Sequence, residues 1–156
     1  MKFNLTLIQL YVIYLICVGI CYLFFRNTMN NIQKRFFVFI LICIMTRIFF
    51  TLLAKNNKYM PLLSLIYIIA GIGIIKNFFI KSNLAETQLD WVNGKVWWND
   101  LRIIHGFLYL SFAITTMLNL KNKKLWIFLA MDTVLGISAF LHYHYTQNHF
   151  SKLLKT

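Results

Sequence analysis

Five apolar stretches alternate with short polar connections along this chain. Each stretch holds about 20 mostly apolar residues, which is the length that an α-helix needs to cross the hydrocarbon core of a bilayer. The pattern predicts transmembrane helices over residues 3–25, 36–54, 61–80, 101–120 and 125–145. One proline and six glycines interrupt the chain, which favours an all-α bundle over a membrane β-barrel. We therefore interpret residues 1–156 as a single membrane domain built from five transmembrane helices.

The longest connection, between the third and fourth predicted helices, is rich in tryptophan. It contains Trp91, Trp97 and Trp98, three of the four tryptophans in the chain. Because indole rings favour the head-group region of a bilayer, we predict that this loop lies at the membrane interface and that these residues anchor it. Asn93 and Gly94 stand between alternating apolar residues, which is typical of a two-residue β-turn. An interfacial hairpin or re-entrant turn is expected.

Composition and charge support a membrane location. Hydrophobic residues make up 60% of the chain, more than one soluble core of this size could bury. The formal net charge is +12 at pH 7, and the basic residues cluster in the short connections, where anionic lipid head groups are the natural partner. No basic patch lies on a soluble domain that could dock a duplex, so nucleic acid is not an expected partner.

The choice of amino acids also bears on the origin of the chain. Isoleucine, asparagine, lysine, phenylalanine and tyrosine are frequent, whereas proline occurs once. An AT-rich coding sequence produces this bias, which would suit a large DNA virus, an organelle or a protist. The predicted location is an integral, multi-pass position in a membrane that the sequence does not specify.

Two charged residues interrupt the apolar stretches. Arg47 lies in the second stretch and Asp132 lies in the fifth. An ionisable side chain in hydrocarbon usually faces a partner or a cavity. Arg47 comes seven residues before Ala54, and Asp132 comes seven residues after Leu125, so both lie about 10 Å below the same side of the membrane. We therefore predict an intramembrane ion pair that clamps the second and fifth helices together.

Other small or polar residues recur at helical spacing near these two charges. Residues three or four positions apart share one face of a helix, where small side chains allow close approach and polar ones bond to a neighbour. The predicted stripes are Cys43, Arg47, Thr51 and Ala54 on the second helix, Arg102, His105, Gly106, Tyr109, Ala113 and Thr116 on the fourth, and Asp132, Gly136, Ala139 and Tyr143 on the fifth. We expect these stripes to form the inner seam of the bundle.

The four histidines are expected at the side of the membrane opposite to Ala54 and Leu125. His105 lies one turn inside the fourth helix, and the others, His142, His144 and His149, lie at or beyond the end of the fifth. Because antiparallel neighbours bring these ends together, the four are candidates for a metal site or for haem ligation. The alternative is that they are amphipathic residues at the interface. No HExxH, CxxC or CxxCH motif supports a cofactor, so we expect none.

The sequence also bears on the class of function. It contains no Walker loop, no GxSxG elbow and no potassium-filter sequence. We therefore expect a non-enzymatic membrane protein with a structural, accessory or assembly role, in contact with lipid and with a membrane protein partner or a second copy. Two alternatives stay open: a small transporter or channel gated by Arg47 and Asp132, and a haem or metal redox protein that uses His105 with His142 or His144.

Overall fold

The computed structural model describes residues 2–56, 58–80, 91–92, 95–96, 98–119 and 124–153. Five long helices account for most of these residues: α1 (Lys2–Phe25), α2 (Asn31–Ala54), α3 (Met60–Ile80), α4 (Leu101–Leu118) and α5 (Trp126–Thr146). All five are long and apolar enough to cross a membrane, which confirms the predicted number of helices. A further short helix, α6 (Phe150–Leu153), follows α5 and was not predicted, because its sequence is a polar tail.

Helix α2 begins earlier than the hydrophobic pattern predicts. The predicted start was Phe36, but the helix begins at Asn31. The Asn30 side chain accepts a hydrogen bond from the Gln33 backbone N–H at 2.9 Å, and the Gln33 side chain accepts one from the Asn30 N–H at 2.9 Å. This capping box satisfies two backbone donors at the start of the helix. A capped first turn can be polar, so hydrophobicity alone misses it.

The middle of α2 is a π-helix over Val38–Ile44. A π-helical turn holds more residues than an α-helical turn and therefore changes which side chains face the bundle. Cys43 is exposed and its neighbour Ile44 is buried. The predicted α2 stripe is therefore wrong at Cys43, whereas Thr51 and Ala54 are buried as expected.

Helix α1 contacts α2 chiefly through tyrosines. The Tyr11 hydroxyl lies 2.6 Å from the Thr46 hydroxyl, and the Tyr14 hydroxyl donates to the Leu41 carbonyl at 2.7 Å. The Tyr11 ring also stacks on Phe49, with 3.8 Å between the ring centroids. Much of the remaining surface of α1 consists of exposed large apolar side chains, as expected of a helix at the edge of a membrane bundle.

Helices α3 and α4 approach each other closely at two glycines. A Cβ atom on Gly106 would lie 3.2 Å from the Gly71 carbonyl oxygen, and a Cβ atom on Gly71 would lie 3.2 Å from the Gly106 carbonyl oxygen. Such contacts between backbones are typical of membrane helices that meet at small residues. Nearer the start of α4, Arg102 Nη1 donates to the Asn77 carbonyl at 3.1 Å. These contacts fix the face that α4 presents to α5.

Between α3 and α4, two short strands form an antiparallel ladder. Strand β1 (Trp91–Val92) pairs with β2 (Lys95–Val96), with Trp91 opposite Val96 and Val92 opposite Lys95. This register is the one that a two-residue turn between the strands requires. Asn93, Gly94 and Trp97, which also belong to the predicted loop, lie outside the described residues.

The apolar core lies where α2 ends and α3 begins. Its most buried side chains come from α2, α3, α4 and the start of α5: Leu53, Ala54, Met60, Leu63, Phe112, Ala113, Leu125 and Leu129. Asp132 follows Leu129 by one helical turn. The polar centre of the bundle is therefore screened from this end of the molecule by packed apolar side chains.

Candidate functional site

Asp132 on α5 binds side chains from two other helices. Arg47 Nη1 of α2 lies 3.0 Å from Asp132 Oδ2, and the Tyr109 hydroxyl of α4 donates to the same oxygen at 3.1 Å. His105 of α4 contacts the other oxygen, Oδ1, through Nδ1. When the carboxylate is ionised it only accepts hydrogen bonds, and His105 Nδ1 is then the donor in this contact. We call these four residues the Asp132 cluster.

Arg47 binds α5 in two ways. Besides the carboxylate, its Nη1 atom donates to the backbone carbonyl oxygen of Asp132 at 3.1 Å. The guanidinium reaches both acceptors because Gly136, one turn further along α5, has no side chain: a Cβ atom there would lie 2.6 Å from Nη1. The structure therefore brings Arg47 and Asp132 together at the depth that their positions in the sequence predict. Gly136 belongs to the predicted stripe and has a defined role in it.

His105 does not join the other histidines. The sequence places it near the end of the bundle that carries His144, but the structure places it against Asp132. Twelve residues of α5 separate Asp132 from His144, a distance of about 18 Å along the helix axis. His142 is exposed on α5. The alternative in which His105 pairs with His142 or His144 at a metal or haem is therefore not formed in this structure.

The remaining predicted stripe residues lie on α4, α5 and α2, and they differ in burial. All six on α4 are buried: Arg102, His105, Gly106, Tyr109, Ala113 and Thr116. On α5 the buried stripe advances by four residues at each step, so that Phe140 and His144 occupy it and the predicted Ala139 and Tyr143 are only half-buried. Thr51 donates its hydroxyl to the Arg47 carbonyl at 2.8 Å, a bond within its own helix.

A second polar cluster lies where α5 ends. His144 Nδ1 and His149 Nδ1 are 2.8 Å apart, and the two side chains belong to residues that are 0% and 7% exposed. Arg35 of α2 is 4% exposed and its charge acts on His149. We call His144 and His149 the histidine pair. Within the described ranges of the chain, no three His, Cys, Asp or Glu side chains come together as a metal site would require.

Both histidines were among the candidate residues predicted from the sequence, but Arg35 was not. A signal for it was present in the spacing. Arg35 precedes Arg47 by twelve residues, and His144 follows Asp132 by twelve residues. Because α2 and α5 run antiparallel, a contact between Arg47 and Asp132 places Arg35 and His144 at the same level of the bundle.

Of the tryptophans predicted to anchor the loop, Trp98 has a defined neighbour. The Arg102 guanidinium lies over its indole ring, 4.5 Å from the centroid. A cation above the face of an indole is attracted by the ring quadrupole. Trp98 is half-buried just before α4, so this contact ties the loop to the first turn of the helix.

Among the described residues, these features define a predominantly helical protein with five helices long and apolar enough to cross a membrane, three of which meet at the buried Asp132 carboxylate. Comparisons with protein-family models, with curated proteins and with solved structures found no match to this chain.

Proposed function

We propose that this chain is a multi-pass integral membrane protein with a structural role, an accessory or assembly component whose helices are held in one arrangement by the Asp132 cluster. The observation that carries the proposal is that a single buried carboxylate on α5 binds side chains from both α2 and α4. Each of these helices would lose its polar contact if it moved relative to α5.

The bonding of Asp132 supports a structural role over a binding role. Its two oxygens are already occupied by Arg47, His105 and Tyr109. A buried ion pair is strongly destabilised when one partner is removed, because the other charge is left unpaired in an apolar medium. Such a cluster therefore favours one packing of the helices over alternatives, and it leaves the carboxylate little capacity to bind a substrate.

The surface supports a lipid environment and an additional partner. Basic residues in the connections suit anionic head groups, and the tryptophan-rich loop suits the interface. In an assembly role, a membrane protein partner or a second copy would pack against the apolar outer faces.

Elemental analysis and the absorption spectrum of the purified protein test the accompanying expectation that no metal or haem is bound.

A double-mutant cycle tests the structural role. We expect Arg47→Met and Asp132→Leu each to lower the free energy of unfolding by about 3 kcal/mol, since each leaves a buried charge or dipole unpaired. The double variant should lose less than the sum of the two, because it removes both charges together. The measurement is reversible unfolding in mixed micelles of mild and denaturing detergent.

Two further variants sharpen this test. Lys76→Met removes an exposed cation from α3 and should change the stability by less than about 0.5 kcal/mol. The exchanged pair, Arg47→Asp with Asp132→Arg, should recover part of the stability, because His105 can accept a hydrogen bond at Nδ1 in its other tautomer. Additive single losses, or single variants as stable as the wild type, would contradict the structural role.

A second candidate is a small transporter or channel in which the same cluster acts as a gate. The observation that favours it is the unequal exposure of the ion pair: the Arg47 side chain is 22% exposed and that of Asp132 is 2% exposed. His105 and Tyr109 also offer exchangeable protons next to the carboxylate. Proteoliposome flux that Asp132→Asn abolishes, in a protein that remains folded, would favour transport over a purely structural role.

A further inference from the structure

The histidine pair is formed by the way in which α5 ends. Asn148 has a φ of 53°, a left-handed conformation that asparagine tolerates better than most residues. The His149 N–H donates to the His144 carbonyl at 3.0 Å, and the Asn148 N–H donates to the Tyr145 carbonyl at 3.0 Å. This is the Schellman motif. It turns the chain back on itself, so that the His149 ring lies against the His144 ring.

The same turn directs α6 towards the start of α2. The Gln33 side-chain amide of α2 donates to the Leu153 carbonyl of α6 at 3.0 Å. Phe36 of α2 packs against both Phe150 of α6 and His144, with ring centroids 5.4 Å and 4.5 Å apart. The histidine pair therefore lies at the point where α6, α5 and α2 meet.

The distance between the two Nδ1 atoms limits how many protons the histidine pair can hold. Two Nδ1 atoms 2.8 Å apart form a hydrogen bond only if one carries a proton and the other offers a lone pair. When both rings are imidazolium ions, each Nδ1 carries a proton, so two N–H donors and two positive charges face each other. The contact between the rings is then lost.

The surroundings oppose the gain of protons. The charged or titratable groups that face the pair are Arg35 from α2, Tyr143 from α5 and Lys152 from α6. Burial, Arg35 and Lys152, in that order of importance, lower the pKa of His149 below its ordinary value of 6.5. The docked state therefore binds protons less readily than a state in which His149 is in water.

We propose that His144 and His149 form a proton-operated clasp, which holds α6 against α2 at neutral pH and releases it on acidification. The sign follows from linkage. Because the pKa of His149 is lower in the docked state, the contribution of the pair to docking is fully present above pH 6.5 and is lost as the pH falls through the lowered pKa. The clasp does not depend on the role of the Asp132 cluster.

A spin label on α6 tests the clasp in the full-length protein. Ser151 is exposed, so Ser151→Cys accepts a label after Cys17, Cys21 and Cys43 have been changed to serine. We expect the label to be immobile at about pH 7.5 and the mobile population to rise at least about fivefold by about pH 5, the range in which histidine titrates. A mobile fraction that is constant over this range would overturn the proposal.

Matched variants separate the clasp from general acid effects. His149→Gln keeps a polar side chain but cannot titrate, so its label should show no pH dependence. His142→Gln removes an exposed histidine from α5, the helix that carries His144, and should respond to pH as the wild type does. An equal response in all three proteins would assign the effect elsewhere and overturn the proposal.

If His149→Gln does not fold, imidazole nitrogen NMR of the wild type provides the test. The His149 ring should then titrate with a midpoint below 6.5, and the titration should coincide with the release of the label. A midpoint at or above 6.5, or a titration with no accompanying change in the label, would count against the clasp.

Discussion

The guanidinium of Arg47 lies in the space that Gly136 leaves by having no side chain. A Cβ atom at position 136 would lie 2.6 Å from Arg47 Nη1 and 3.5 Å from Arg47 Cζ. A glycine inside a helix is destabilising by roughly 0.5–1 kcal/mol relative to alanine. Here the loss is offset by the access that it gives Arg47 to both the carboxylate and the backbone carbonyl of Asp132.

Gly136→Ala is the smallest change that tests this relationship. The added methyl group should push the guanidinium away from Asp132, and we expect a loss of about 1–3 kcal/mol, as for other overpacked sites. Unfolding in mixed detergent micelles measures it. Gly73→Ala is the control, because a Cβ atom on Gly73 has no atom within 4 Å, and alanine there should leave stability unchanged or improve it. Equal effects at both positions would argue against a special role for Gly136.

Tyr109 supplies one of the bonds to the Asp132 carboxylate, and its loss can be measured against a neighbouring tyrosine. Tyr109→Phe removes a hydrogen bond to a buried charge, so we expect a loss of about 1.5–3 kcal/mol. Tyr67 is also buried, and its ring contacts Tyr109 with 4.7 Å between centroids, but it does not bind Asp132. Tyr67→Phe should therefore cost less than about 0.5 kcal/mol. The idea fails if the two variants lose the same stability.

Depth along the helices could be predicted from the sequence, because it follows from counting residues. The matched positions of Arg47 and Asp132 were predicted from the rise per residue, and the stripe on α4 was predicted from the helical repeat. Both follow from regular α-helix geometry. The five long helices could also be predicted, because length and apolarity are local properties of the sequence.

The errors arose where helices shift, bend or end irregularly. His105 was placed near the opposite side because its depth was counted from the start of α4, but α4 meets Asp132 within its first turns. Cys43 was placed on the inner face because a π-helical segment cannot be recognised from hydrophobic spacing. The contact between His144 and His149 depends on the left-handed conformation of Asn148, which the local sequence permits but does not require.

The π-helical segment also explains how two arginines of α2, three helical turns apart, both face the side of the bundle that α5 occupies. Arg47 binds Asp132, and Arg35 is buried beside His149, just beyond the end of α5. In a regular α-helix, twelve residues would leave the two arginines about 120° apart around the axis. Seven π-helical residues turn by less per residue and reduce this difference. In this interpretation the segment accommodates one residue more than three α-helical turns require.

A deletion within the segment tests that interpretation. Removing Ile40 reduces the separation of the two arginines from twelve positions to eleven, which is about three turns of a regular α-helix, so the register should survive. Ile40 is 43% exposed, and its loss removes little packing. We expect the variant to fold, with the wild-type elution profile in detergent size-exclusion chromatography and a stability within about 1 kcal/mol of the wild type.

Deletion of Ile104 is the matched control. Ile104 is 46% exposed, but it lies in the regular helix α4, between Arg102 and His105. Its removal rotates the preceding residues by about 100° relative to those that follow, because no π-helical segment is available to absorb the change. Arg102 would then leave the Asn77 carbonyl, and we expect aggregation or loss of the protein. If both deletions were equally damaging, the π-helical segment would not be the element that sets the register of α2.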